Sequence, residues 1–151
     1  MPRIKIKIEY DGTNYVGWQS QRNGVSIQGE IEDSLRKIFN QEIKLYVAGR
    51  TDAGVHALNQ VAHFDIETLS IKTDKIFRAL NFFLKKNNNK ITILESKIVN
   101  KNFHSRFSVK KKYYLYQVFN RETKSYIQEN RVWFIPQKIN IERMKNASEY
   151  F

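Results

Sequence analysis

Four residues with chemical capacity, Arg50, Thr51, Asp52 and His56, share one short stretch, residues 48–57 (AGRTDAGVHA). A lone carboxylate acts as nucleophile or general base without a metal when a cation and hydrogen bonds orient it. Arg50 stands two residues from Asp52 and is placed to pair with it. The competing reading is that Asp52 closes an Asx-type turn and Arg50 is a solvated charge. Other chemistries have less support. His56, His63 and His104 are the only histidines, cysteine is absent, and no histidine has a carboxylate at ligand spacing, so no metal site is predicted. No Gly-x-Ser-x-Gly elbow, P-loop or dinucleotide fingerprint occurs, which leaves hydrolase machinery and nucleotide cofactors unsupported. His63, on the polar side of its segment, reads as structural or as a phosphate contact.

Such groups need a rigid frame. Residues 42–47 (EIKLYV) and 60–66 (QVAHFDI) each alternate apolar and polar side chains, the period of a half-buried strand. Between them, Gly49 and Gly54 bracket a stretch with no apolar period. That predicts a loop whose backbone takes angles side-chained residues avoid, with its polar groups presented at the rim of a sheet. Residues 3–10 alternate as well, with Ile4, Ile6, Ile8 and Tyr10 on one face and Arg3, Lys5, Lys7 and Glu9 on the other. One face is covered and one is wet. Asp11-Gly12 ends that strand, and Trp18 in the following polar loop reads as a core plug, not a base-stacking platform. Ser26 is the predicted N-cap of a helix with the stripe Ile27, Ile31, Leu35, Ile38 and Phe39, stopped by Asn40. Thr73 opens a second helix with Ile76, Phe77, Leu80, Phe83 and Leu84 inward. Asn87-Asn88-Asn89 breaks it, and residues 90–99 supply another strand. The order β-α-β-β-α-β is the split-βαβ arrangement of ferredoxin-like folds. An α+β class is therefore expected, an antiparallel sheet with both helices on the isoleucine-rich face and the charged face open.

Beyond residue 100 the pattern is less regular. Residues 112–120 read as a further strand, with Tyr114, Tyr116 and Val118 on one side and Tyr113, Leu115 and Phe119 on the other. Residues 131–135 make a short strand ended by Pro136, and Asn140 caps a helix start with Ile141, Met144 and Ala147 inward. The expected domains are a core over 1–100 carrying the 48–57 loop and a basic strand extension over 101–151. The extension begins a second, incomplete domain, since so short a last helix buries little surface alone.

Length and charge bound the partners. A chain of 151 residues supports one domain with an appendage and a sizeable core. With 41% hydrophobic residues and a mean hydropathy of -0.58, it reads as a soluble globular protein. No apolar run approaches membrane-spanning length, and Met-Pro-Arg-Ile-Lys at the start lacks a signal-peptide core. The absence of cysteine excludes disulfides and thiolate metal sites and suits a reducing, cytoplasmic setting. Lys and Arg number 26 against 15 Asp and Glu, a formal charge of +11, which favours a polyanionic partner. Lys101, Arg106, Lys110, Lys111 and Lys112 fall in a segment with no acid at all. Nucleic acid is favoured over membrane, because no basic amphipathic helix with a broad apolar face occurs.

Gly49-Arg-Thr-Asp-Ala-Gly-Val-His56 resembles the signature of the tRNA pseudouridine synthase A family. The resemblance extends upstream to Glu9-Tyr-Asp-Gly12, Gly17-Trp18-Gln19 and Ser26-Ile-Gln28. Downstream it takes in Gln60-Val61, His63-Phe64 and Phe103-His-Ser-Arg-Phe-Ser108, ahead of Tyr114 and Tyr116. Several spaced motifs in order, over essentially the whole chain, are far more specific than any one of them. In length the chain departs from the pattern, ending at Phe151 where members of the family continue into a second domain.

The resemblance implies an isomerase that uses neither cofactor nor metal. Asp52 is then the nucleophile of a reaction that breaks a uridine C1′–N1 bond and rejoins the ring through C5. Attack on uracil C6 and participation at the sugar C1′ are both open routes, and each requires the base to leave its stack. Arg50 and His56 join the substrate-binding set, Arg50 helping to hold the flipped-out nucleotide. Arg106 contacts phosphate or an acidic partner. Tyr114 faces the pocket, stacks on the target base and helps remove the C5 proton, with Tyr113 and Leu115 facing the core, whereas the residues alone read as ordinary strand aromatics. The resemblance also implies tRNA as partner, uridines of the anticodon stem-loop as targets, and a homodimer with basic clefts. From a different class comes the reading of a non-catalytic RNA-binding module, or of an inactive N-terminal fragment of such a synthase. Against the module, the open face of the first strand lacks the aromatic pair that stacks bases in the common RNA-recognition motif.

Overall fold

Strand β1 (Arg3–Tyr10) obeys its alternation: Ile4, Ile6 and Ile8 are fully buried, Tyr10 nearly so, and the charged residues line the opposite face. In the computed structural model, which describes residues 1–22 and 24–150, the chain divides into two compact units, Met1–Lys111 and Lys112–Phe151. The first unit is built on a four-stranded sheet of order β2-β3-β1-β4, where β2 is Tyr46–Val47, β3 is Ala57–Asp65 and β4 is Ile91–Val99. Every neighbouring pair is antiparallel.

Helices α1 (Ile27–Phe39) and α2 (Thr73–Lys86) pack on the isoleucine face. Ile27, Ile31 and Leu35 of α1 and Ile76, Leu80 and Leu84 of α2 join the three isoleucines, Ala62, Phe64 and Trp18 in one core. Each such aliphatic side chain contributes roughly 1.5–3 kcal/mol on full burial, more than the surface ion pairs of the wet face. Trp18 is thus the core plug expected of it. Ser26 caps α1, its hydroxyl accepting from the Gly29 amide at 3.1 Å, and Asn40 ends it in the left-handed conformation that asparagine tolerates. The start of α2 has no capping side chain of its own. Instead the buried Ser96 hydroxyl from β4 donates to the Thr73 carbonyl and accepts from the Phe77 amide.

The expected strand at 42–47 shortens to Tyr46–Val47, although Ile43 and Leu45 are buried in the alternation foreseen. The Leu45 amide goes to the Glu32 carboxylate of α1 at 2.8 Å and not to a ladder. Strand β3 begins at Ala57, earlier than expected, because a register shift between Ile8 and Tyr10 lets Tyr10 pair with Ala57. The charged face is not wholly open either. Arg3 grips Asp65 through two bonds of 2.8 Å and donates to the carbonyls of Lys101 (2.8 Å) and Phe103 (2.6 Å). Residues 101–105 are thereby drawn over the sheet, and His63 is buried beneath them.

In the second unit, β5 (Val118–Asn120) and β6 (Trp133–Ile135) pair in parallel, and Asn120 donates to the Ile135 and Gln137 carbonyls. The strand expected over 112–120 forms only at its end, and Tyr113 and Leu115, foreseen as core-facing, are exposed. Alternation needs a neighbouring strand to become a ladder, and residues 112–117 belong to none, the Gln117 carbonyl alone accepting from the Trp133 amide of β6 at 2.7 Å among the described residues. Asn140 does cap α3 (Ile141–Ser148), but no residue of α3 is buried, so Ile141, Met144 and Ala147 do not face inward. An amphipathic helix buries its stripe only against an apposed apolar surface.

Candidate active site

The segment between β2 and β3 is tied down at both ends and at its middle, while the Arg50 and Asp52 side chains stay exposed. Its entry is held by the Ala48 amide on the Val61 carbonyl (2.8 Å) and by the Gln60 side chain on the Gly49 carbonyl (2.7 Å). Thr51 at the middle is held twice. Its carbonyl accepts from the Trp18 amide at 2.9 Å, and its hydroxyl lies 2.8 Å from that of Tyr10. The turn that follows is closed by the Asp52 carbonyl, accepting from Val55 at 3.2 Å, not by the Asp52 carboxylate. The Asx-type role for that side chain is therefore not taken up.

Close approach of the 12–18 segment makes this bracing possible. A Cβ on Gly17, whose φ is +112°, would sit 2.8 Å from the Thr51 carbonyl oxygen, and one on Gly12 would sit 2.1 Å from that of Val55. Of the two glycines expected to relax the loop, Gly54 takes a positive φ of 78° and Gly49 does not.

Arg50 and Asp52 are exposed, and neither side chain makes a hydrogen bond or ion pair among the described residues, so the pairing foreseen between them is not formed. What results is an accessible carboxylate on an immobilised backbone, with a cation two residues away. Such an arrangement suits attack on, or proton removal from, a substrate brought to the surface. His56 is partly buried. Its Nδ1 lies 3.1 Å from both the Gly12 amide and Asp11 Oδ1. One nitrogen cannot accept from the amide and donate to the carboxylate together, so the second contact is an ion pair only in the protonated ring. Asp11 is held below the usual carboxylate range, chiefly by the Thr13 hydroxyl and then by the Thr13 amide, His56 and Lys90, with burial opposing. The Asp11–Gly12 turn thus braces the far end of the loop.

Arg106 lies in the first unit, exposed, its guanidinium carbon 5.7 Å from the Phe107 ring centre. Its segment is anchored by buried Ser105, which donates to the Tyr46 carbonyl at 2.7 Å and lies 2.8 Å from His63 Nδ1. The same Nδ1 lies 3.2 Å from the Ser105 amide, and whether it donates to the hydroxyl or accepts from the amide follows the ring tautomer. Burial, then the charges of Arg3 and His104, lower the His63 pKa to about 4. His63 also stacks on Tyr46 and meets Phe103 edge-on, so it is a structural residue under a cover. Tyr114 belongs to the second unit and is exposed. Two cavities, one beside Tyr15, Glu30 and Asn89 and one beside Phe119, Lys124 and Phe134, are not lined by Asp52. Among the described residues no three metal-ligating side chains gather, and no helix is long and apolar enough to cross a membrane.

Sequence reasoning placed Tyr10, Asp11, Gly12, Gly17 and Gln60 in the motifs that carry the resemblance but gave none of them the role of bracing the loop. One signal was available, since Tyr10 is the single hydroxyl in a row of buried isoleucines.

A family model described as tRNA pseudouridine synthase matches residues 6–108, which include the whole loop and its supports. A tRNA pseudouridine synthase A of Ehrlichia chaffeensis is 46% identical over 149 residues, 98% of this chain and 60% of that protein. Proteins of the same name from Anaplasma phagocytophilum and Afipia carboxidovorans are each 43% identical, over 98% and 99% of this chain and 60% of their own length. The chain thus spans about 60% of the length of the curated relatives it matches. On the strength of that match and of these identities, the chain belongs to the tRNA pseudouridine synthase family.

Proposed function

We propose that Asp52 is the nucleophile of a tRNA pseudouridine synthase that isomerises uridine to pseudouridine in the anticodon stem-loop of tRNA. The observation that carries this reading is the carboxylate itself, exposed and unpaired among the described residues, on a loop hydrogen-bonded from both sides. Attack on uracil C6 or at C1′ is followed by rupture of C1′–N1, rotation of the ring and formation of C1′–C5. Loss of the C5 proton and protonation of N1 then leave the product an isomer of the substrate, with Asp52 regenerated. Arg50 holds the extruded nucleotide, His56 keeps the loop in place beneath it, and Arg106 engages phosphate. Tyr114 stacks on the base and assists removal of the C5 proton.

The succession β-α-β-β-α-β with sheet order β2-β3-β1-β4 supports a ferredoxin-like core over residues 1–100 with a basic extension after it. A net charge of +11 supports salt-sensitive, shape-driven binding of tRNA. The enzyme works without cofactor, as a homodimer, in the cytoplasm. Asp52→Asn in the full-length protein abolishes isomerisation, followed as tritium release from C5-labelled uridine, while the Kd for tRNA changes by less than about twofold. Turnover of that variant near the wild-type rate removes Asp52 from the chemistry.

A further inference from the structure

Tyr10 is an odd choice for its position. It occupies the innermost row of β1, after Ile4, Ile6 and Ile8, and is only 3% exposed. Its ring meets Trp18 at 5.9 Å between centroids. A phenylalanine would fill the same space without the cost of burying a hydroxyl. The hydroxyl's close hydrogen-bond partner is no core group: it is Thr51 Oγ1, 2.8 Å away, on the residue before Asp52, and the Gln60 side chain also interacts with it.

The location of Tyr10 in the sheet explains why that bond matters. Tyr10 is paired on one side with Ala57, where the loop re-enters β3, and on the other with Ile91 of β4. It is thus fixed by two strands at the rim where the loop arrives. From there its hydroxyl reaches the loop's middle residue, while the Trp18 amide takes the carbonyl of the same residue. The Asp52 side chain has no hydrogen bond of its own among the described residues, so its aim depends on the backbone at 51. Burial raises the Tyr10 pKa, which keeps the phenol protonated across the physiological range.

We propose that the Tyr10 hydroxyl is a positioning group for Asp52, acting through the Thr51 hydroxyl. The inference rests on Asp52 being the nucleophile. Without this bond the loop still forms, because its entry, its turn and the Trp18 contact persist, but Thr51 rotates and the carboxylate loses its fixed approach to the base. Misplacement of a reacting group by about 1 Å costs on the order of a hundredfold in rate, so a tenfold to hundredfold loss is expected. Since Tyr10 touches no substrate, the loss belongs in kcat and leaves KM unchanged.

The test uses the full-length protein and tRNA, with Tyr10→Phe, Thr51→Val, the double variant, Thr51→Ser and Asp52→Asn. The expected result is a kcat lowered roughly tenfold or more by Tyr10→Phe and by Thr51→Val, with KM unchanged. The double variant should be no worse than either single one, because both remove the same bond. Thr51→Ser, which keeps the hydroxyl, should retain near wild-type kcat. If Tyr10→Phe does not fold, Thr51→Val and Thr51→Ser carry the comparison alone. Should Asp52→Asn be inactive while Tyr10→Phe and Thr51→Val turn over normally, or lose only in KM, the positioning role is wrong and the nucleophile stands. An active Asp52→Asn overturns the nucleophile and the positioning role with it.

Discussion

Replacing Gly17 by alanine tests the close packing that braces the loop. Two costs add at this position. A φ of +112° is one that side-chained residues rarely adopt, which costs about 1–2 kcal/mol. The new Cβ would also lie 2.8 Å from the Thr51 carbonyl oxygen, 3.2 Å from the Asp52 carbonyl carbon and 3.3 Å from the Ala53 nitrogen, all backbone atoms. Crowding of that kind costs a further 1–3 kcal/mol or so, so the total is roughly 2–5 kcal/mol. Gly54→Ala is the internal control, because Gly54 also has a positive φ, 78°, but nothing lies within 4 Å of its added Cβ. Only the first cost applies there. Urea unfolding followed by tryptophan fluorescence separates the two, since Trp18 is fully buried in the first unit and Trp133, at 69% exposure, reports little. With m near 1–3 kcal/mol/M, the midpoint of Gly17→Ala should fall by about 1 M or more, and clearly further than that of Gly54→Ala. Equal midpoints for the two variants would mean that residues 12–18 do not press on the loop, and the bracing of Asp52 would lose its basis.

Other perturbations read other parts of the first unit. His63 is held neutral down to about pH 4, while an unfolded histidine takes its proton near 6.5, so its contribution is complete above 6.5 and is lost as pH falls toward 4. His63→Gln should flatten the dependence of the urea midpoint on pH in that window; an unchanged slope would contradict the burial of the ring. Glu95 is lowered to about 2 by Lys7 and then Lys97, so its contribution is present above the ordinary glutamate value of 4.5 and disappears as pH falls toward 2. Glu95→Gln should cost about 1 kcal/mol or less at pH 7 and nothing at pH 2, read as the difference in urea midpoints. Ser26→Ala removes the cap of α1 and should cost about 1 kcal/mol at any pH, whereas Ser26→Gly should cost only a few tenths.

Local patterning made most of the first unit legible. The period-two row of isoleucines predicts β1 residue for residue, because a side chain on a pleated strand has only two directions to point. Ser26 and Asn40 mark the ends of α1 because capping is a contact between near neighbours in sequence. The candidate site was legible as a motif but not as a geometry. Arg50 and Asp52 are close enough in sequence to pair, yet they remain apart, and sequence spacing carries no information on where a long exposed side chain settles. Tyr113, Leu115 and the stripe of α3 were misread for a related reason: alternation states which faces an element offers, not whether anything packs against them.

The sequence alone determined the family, the order of the elements and the aspartate at the centre, since these depend on residue identity and on contacts within a few residues. Tertiary structure decided what holds that aspartate. Tyr10, Gly17 and Trp18 lie more than thirty residues before Asp52 and reach its loop only because β1 pairs with β3, which brings the end of one strand beside the start of the other. Burial of His63 and closure over the charged face depend likewise on Arg3 meeting residues 101–103, nearly a hundred positions away. Contacts of that range form when the shared core of isoleucine, leucine and tryptophan folds, because burying that apolar surface is what offsets the loss of chain entropy on bringing distant segments together.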